Sequence, residues 1–481
     1  MAKSLKTSSL KKAFGDYFNT VTAFGVIIFI LTAFSTFILN EGLLLIECLS
    51  KGIPVAERFR NGYDFSDYII HGIIATVGAA ALTLSKFSFL QNKSACIQYL
   101  SFGISRKKLF TKYILYSIIP VTLAALLGAI PEIVITCACT DAAKCLPFYF
   151  LHIIKSLLFG VAAGVAGSVL CGKIFEAAFT AFSFLTVITA VFTFTMPVIF
   201  KNFLYGFTDS QFENIILFDP LFGTMPPEVI IQLPYNTVKY SGFLRATLYP
   251  VIWILLFSVL LFVIKRYFVK KYNPVKAGAV GQSKLANTVL CVDISVFSFG
   301  CILYGVGYTL LDKPIVLTCA AIISLSVSIA FAIAFCSPKR TLKKWLLPAA
   351  SGPVAIAAAV IICITGGFGY AHKTPDLEDI DSVVVSSDIL VEDNFDRPLS
   401  STLTTPEDIY TLIKLQESVE LTPDNTSTHY IRIWYRLKNG SYVERQFDFL
   451  SENNCKLFSE LLETDGVKEM QNWYNGMISE E

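Results

Sequence analysis

Twelve cysteines, four histidines and an acidic C-terminal stretch are where chemistry would be sought in this sequence. None of them forms a recognisable reaction centre. The histidines are far apart and no HExxH occurs, so metal-assisted hydrolysis has no site. Most cysteines, among them Cys171, Cys301, Cys319 and Cys363, fall inside apolar runs, where a thiol behaves as a small apolar group. Cys137-Ala-Cys139 is too closely spaced for a zinc pair, and with Cys145 it leaves a disulfide as the alternative. Gly278-Ala-Val-Gly281-Gln-Ser-Lys284 has neither the GxxxxGK[ST] spacing of a phosphate loop nor a strand before it. The carboxylates of the tail form no specific pair and read as a solvated acidic surface. No metal or cofactor is therefore expected on the chain itself, no enzymatic centre and no nucleic-acid partner.

The stretch that stands out is Gln91 to Tyr113, a polar segment between two long apolar runs. It carries Lys93, Arg106, Lys107, Lys108 and Lys112 and no acidic residue. An excess of Lys and Arg beside membrane spans keeps a short loop on the cytoplasmic side. Ala95-Cys96, Tyr99-Leu100 and Gly103 share one helical stripe, which predicts a short amphipathic helix across the membrane surface offering that stripe to a soluble partner. The alternative is a plain basic turn that only fixes topology.

The surrounding elements follow from composition. The chain is 54% hydrophobic and only 16% charged, whereas globular domains carry about 25% charge. This describes an all-α polytopic membrane protein of about nine transmembrane helices. Residues 372–481 hold 22 of the 37 acidic side chains, so the tail is a separate acidic body, a small C-terminal α+β domain. Lys3, Lys6, Lys11 and Lys12 place the N terminus inside, and residues 1–17 read as an interfacial helix. Spans are expected over 18–39, 68–84, 109–130, 148–171, 178–199 and 246–264, closing a six-helix unit at 18–268 with a cytoplasmic loop at 85–112. Three more, 287–311, 315–336 and 346–366, lie within 269–371. Nine spans put 372–481 outside the cell and all four basic clusters on one face.

Several residues within this frame are candidates for function. Glu132 follows Pro131 at the end of the third span, either as an interfacial cap or turned toward a cavity; apart from it, no charge is expected clearly within a span. His71 reads as a polar group satisfied by neighbouring helices, and Lys155 as a side chain that snorkels to the outer interface. Gly160, Gly164 and Gly167 make a small-residue face for close helix packing, with a substrate path as the alternative. Residues 217–231, including Asp219 and Glu228, are too apolar for a surface loop and too rich in proline for a span, which suggests a re-entrant segment.

In the tail, Asp381 to Ser386 reads as a strand. Thr405-Pro-Glu-Asp opens a helix with a cap residue, proline in the first turn and acids at the positive end of the dipole. Tyr430–Leu437 and Tyr442–Phe449 flank Asn439-Gly440, a hairpin signal. A two-residue loop would waste the apolar face. An odd loop with a bulge at Gly440 puts Ile431, Ile433, Tyr435 and Leu437 on the side of Val443 and Phe447, and is therefore predicted. A helix over about 452–463 is expected to cover that face.

The loop ending Tyr99-Leu-Ser-Phe-Gly-Ile-Ser-Arg106-Lys107-Lys108-Leu-Phe110, set between spans two and three, resembles the coupling segment of type-2 ABC exporter permeases of Gram-positive bacteria, with Gly103 where relatives commonly have proline. Gly366-Gly-Phe-Gly-Tyr370, Pro406-Glu-Asp-Ile and Leu437-Lys-Asn-Gly440 resemble the C-terminal domain of unknown function attached to some of them. The resemblance implies a plasma-membrane permease that pairs with a second permease subunit and docks a separate cytosolic ATPase holding ATP and Mg. Cys96, Gln98, Tyr99, Leu100, Arg106, Lys107 and Lys108 would couple the two, and Glu132, Asp219 and Glu228 would be candidates for the outer gate. A membrane sensor or an ion-coupled secondary transporter is the alternative.

Overall fold

The computed structural model describes Ile27 and residues 66–101, 105–128, 130, 146–203, 219–221, 239–274, 277–279, 283–305, 313–335, 342–369, 373–387, 399–418, 430–439 and 442–448. The first expected span, the N-terminal interfacial helix, the 137–145 cysteines and the helix expected over 452–463 lie outside the described residues. The elements, in order, are α1 (Ser66–Lys86), α2 (Lys93–Ser101), α3 (Arg106–Gly128), α4 (Leu146–Leu170), α5 (Ile174–Thr189), a π-helical stretch Ala190–Thr195, α6 (Met196–Phe203), α7 (Lys239–Lys271), α8 (Lys284–Gly305), α9 (Lys313–Phe335) and α10 (Leu342–Ile364). The C-terminal body adds β1 (Ile380–Ser387), β2 (Leu399–Leu403), α11 (Pro406–Ser418), β3 (Tyr430–Leu437) and β4 (Tyr442–Asp448). Two compact units emerge: residues 1–193, 215–298 and 323–355 form one, and 194–214, 299–322 and 356–481 the other.

Among the described residues, seven helices are long and apolar enough to cross a membrane, and they coincide with the third to ninth expected spans. The chain is a multi-pass membrane protein on this ground. α1, where the second span is expected, has 21 residues and is not one of the seven. A count of nine therefore exceeds what the described helices provide.

α4 is the centre of the first unit: 83% of its apolar stretch is buried, against 17% for α7. Glycine makes this possible, since a β-carbon at Gly160 would stand 2.1 Å from the Thr76 carbonyl oxygen of α1, and one at Gly164 would stand 2.7 Å from that of Ala80. Gly167 lies as tightly on α5, 2.3 Å from the Ala177 oxygen by the same construction. On another side, Phe159 stacks on Phe257 of α7 with centroids 4.5 Å apart. Close approach of small residues gives van der Waals contact where apolar burial alone gives no preference over lipid. Leu115, Ile119, Leu123 and Leu126 of α3 point outward, as lipid-facing side chains do.

In the second unit, the C-terminal body is a four-stranded antiparallel sheet in the order β2-β1-β3-β4, covered by α11. Ile431 faces Phe447 and Tyr435 faces Val443, which is the register of the odd loop; Gly440 itself is outside the described residues. The core joins Val383 and Val385, Leu403, Ile431, Ile433, Tyr435 and Phe447 to Ile409, Leu412 and Ile413 of α11. Thr405 caps that helix, receiving the Asp408 N–H at 3.4 Å. Two features were not expected. β2 supplies an edge through Leu-Ser-Ser-Thr-Leu, and Arg445, opposite Ile433, is buried with its guanidinium donating to the carbonyls of Glu444 (2.9 Å) and Lys373 (3.1 Å). The exit after α10 is a left-handed turn: Gly367 and Phe368 have φ of 67° and 60°, and Thr365 Oγ1 accepts the Phe368 N–H at 3.2 Å.

Candidate functional site

The basic segment forms the helix that its pattern predicts. Asn92 caps α2, its Oδ1 accepting the N–H groups of Ser94 (3.1 Å) and Ala95 (3.3 Å). The stripe, however, faces the other way. Cys96 is fully buried and Ala95 and Leu100 pack against the helical core, while Lys93, Ser94, Ile97, Gln98 and Ser101 face out. An apolar stripe on a nine-residue helix gains most where protein already offers an apolar wall, and that wall comes from sequence far away: Phe268 in the last turns of α7, and Tyr272 and Ala277 after it.

Tyr272 is the residue that sequence reasoning missed. Its hydroxyl donates to the Leu90 carbonyl at 3.0 Å, and the Cys96 thiol lies 3.7 Å from the Tyr272 hydroxyl oxygen. With one proton on each group the contacts order themselves as a chain, thiol to hydroxyl to carbonyl. Burial pushes the Cys96 thiol up, with the Tyr272 hydrogen bond and the Arg106 charge pulling the other way. The Tyr272 phenol is also pushed up, first by burial and then by Cys96, so both remain neutral at physiological pH. Arg106 closes the joint by donating from Nη1 to the Tyr272 carbonyl at 2.9 Å. Around it Phe87, Phe89, Tyr99, Phe110, Tyr113 and Phe268 form a continuous aromatic cluster with centroids 4.8–6.3 Å apart.

Two further bonds gather the same end of the unit. Gln91 Nε2 donates to the Ser168 carbonyl at 3.1 Å, and the Gly278 N–H donates to Gly172 at 2.7 Å. The connections between α1 and α3, α4 and α5, and α7 and α8 are thus tied together. Lys107 and Lys108 are exposed beside them, and Tyr99, at 36% exposure, sets its ring tilted against Phe89 and perpendicular to Tyr113.

A second polar group is internal. Asp219 is fully buried: Oδ1 accepts the Thr189 hydroxyl (2.9 Å) and the Leu221 N–H (2.8 Å), and Oδ2 accepts the Thr193 hydroxyl. Its charge acts on Lys155 of α4, which is 1% exposed. Lys155 does not snorkel outward; it turns inward toward a carboxylate that lies 64 residues along the chain. Leu221 joins Ala80, Phe159, Ala162, Ala163, Leu185 and Phe257, so Asp219-Pro-Leu221 sits among α1, α4, α5 and α7 rather than at a rim. Nearby on α4, Tyr149 and His152 are buried against α1, with the Tyr149 hydroxyl 3.4 Å from His71 Nδ1. Glu176 and Asp293 are buried as well, which corrects the expectation that spans hold no charge apart from Glu132. The signal was present, since Asp293 interrupts the apolar run Cys291-Val-Asp-Ile-Ser-Val-Phe297. Glu132 and Glu228 lie outside the described residues.

Among the described residues no group of three or more His, Cys, Asp or Glu side chains is placed to hold a metal ion. No protein-family model, no curated protein and no solved structure matches the chain.

Proposed function

We propose that the chain is the transmembrane subunit of an ATP-binding-cassette exporter, and that a separate cytosolic ATPase docks on residues 91–112. The observation that carries this reading is the construction of α2: a short capped helix between two long ones, locked to the helical core on one side and presenting Lys93, Ile97, Gln98 and Ser101, with Lys107 and Lys108 beside it, on the other. A surface meant to receive force from a partner needs this combination, an outward face that binds and an inward face that does not yield. In this reading the basic connections face the cytoplasm, nine spans place the acidic α+β body outside, a second permease subunit completes the pathway, and ATP binding on the partner favours one of two access states. The test is full-length protein reconstituted with its co-purifying ATPase. The double variant Lys107→Glu, Lys108→Glu is expected to abolish stimulation of ATP hydrolysis while leaving the fold unchanged, and undiminished stimulation refutes the docking site.

A second reading has its own observation. Lys155 and Asp219, shut inside the helical unit, are what an ion-coupled transporter places near mid-membrane. Transport that survives without nucleotide but collapses when the ion gradient is dissipated would favour it.

A further inference from the structure

Asp293 is the tenth residue of α8, about 14 Å along a helix of about 33 Å, so it lies near mid-membrane if α8 crosses a hydrocarbon layer about 30 Å thick. It is 3% exposed. Among the described residues the groups acting on it are hydroxyls; the carboxylate that α5 also holds, Asp219, is bonded to Thr189, one turn away from Thr186. Oδ2 lies 2.8 Å from Thr186 Oγ1 of α5, and the buried Oδ1 lies on the side of the Ser183 hydroxyl, the second hydroxyl that acts on this carboxyl. α9 and α10 approach two residues further on, where Ser328 and Gly352 meet Ser295. The apolar runs Ile315–Ala334 and Leu347–Ile364 bring no charged side chain, and their thiols, Cys319 and Cys363, belong to the other compact unit. On α8 itself, the residues one turn away are Val289, Leu290, Val296 and Phe297.

Counting protons assigns its state. Thr186 Oγ1 lies 2.9 Å from the Phe182 carbonyl as well as 2.8 Å from Asp293. The hydroxyl has one proton, and a carbonyl can only accept. When Thr186 bonds back to the carbonyl four residues before it, as a threonine in a helix can, the contact with Asp293 is a hydrogen bond only if the acid is the donor. An ionised Asp293 would instead claim the Thr186 proton and have only neutral hydroxyls about it, with no cation among the described residues to balance it, the costly arrangement for a carboxylate away from water. We propose that Asp293 is a proton-binding site of the helical unit: it carries its proton in this conformation and donates it to Thr186, which passes the hydrogen-bond chain on to the Phe182 carbonyl. Separation of α5 from α8 removes the acceptor and lets the proton leave, so occupancy reports the packing of these two helices. The site stands independently of how transport is energised.

The test is infrared difference spectroscopy of the full-length protein in phospholipid vesicles at neutral pH, wild type minus Asp293→Asn. A protonated-carboxyl C=O band is expected in the wild type, absent from the variant and shifted down in D2O. In Thr186→Val, which removes the acceptor, the band should move to higher frequency. Loss of a carboxylate band in the difference spectrum, with the acid region unchanged, overturns the proposal. Disappearance of the acid band on adding Na+ at constant pH assigns a metal cation instead and overturns it equally. Should Asp293→Asn fail to fold, Thr186→Val against wild type decides alone: a shifted acid band supports the site, and an unchanged acid region overturns it.

Discussion

The tied end of the helical unit and its interior use polar side chains in opposite ways. At the end, the cations Lys93, Lys107 and Lys108 point to solvent, and cohesion comes from aromatic rings, a thiol, a phenol and backbone carbonyls. In the interior, Lys155 and Asp219 are shut away from solvent with hydroxyls filling the remaining valences. A charge in water costs little and stabilises little, so the first kind is free to serve recognition and sidedness. A charge removed from water must be compensated on the spot, so the second kind couples the positions of the segments that carry it. Sensitivity to substitution should therefore divide along this line.

Ranked by size, the tests begin in the interior. Gly160→Leu drives side-chain atoms into the Thr76 backbone and is expected to yield no monodisperse protein by size-exclusion chromatography, a loss of at least about 3 kcal/mol. Asp219→Asn removes the charge that acts on Lys155 and weakens the bonds from Thr189, Thr193 and the Leu221 N–H, and should cost about 3–5 kcal/mol in thermal unfolding. Adding Lys155→Met should recover most of it, and failure of that rescue would break the contrast by showing the pair to be incidental. At the tied end, Tyr272→Phe strands the Leu90 carbonyl and the Cys96 thiol and should cost only about 1–2 kcal/mol. The pH response sharpens the same point. Because burial raises the Cys96 thiol above its ordinary value of 9.0, the stability it contributes is fully present below pH 9.0 and is lost as pH climbs through the higher folded value; melting curves that move between pH 6 and 8 only when Cys96 is present would contradict this. Smallest is Lys107→Glu with Lys108→Glu, expected to change stability by less than about 0.5 kcal/mol however large its effect on a docked partner.

What could be read from the sequence follows the range of the interactions involved. The hairpin register was legible because alternation at Ile431, Ile433 and Tyr435 has one partner set, Val443 and Phe447, a few residues away. α2 was legible as a helix from its stripe, and the packing face of Gly160, Gly164 and Gly167 from spacing alone. The direction of the α2 stripe was not, because its cover arrives with Tyr272, 176 residues after Cys96. Lys155 is the same case, its partner being far along the chain. β2 escaped notice because Leu399 and Leu403 are its only apolar residues and three small hydroxylated ones separate them. Arg445 breaks the apolar alternation on a face that its backbone register nevertheless buries.

The bonds from Gln91 to Ser168, Tyr272 to Leu90, Arg106 to Tyr272 and Gly278 to Gly172 have a mechanical meaning beyond stability. α2 is continuous with α1 and α3 through the chain, and the residues that flank it, Leu90, Gln91 and Arg106, are pinned to α4 and to the end of α7, so a displacement of α2 by a few ångströms has four long levers to act on at once. A push there is shared out as a tilt of the whole end plate rather than absorbed as the bending of one loop.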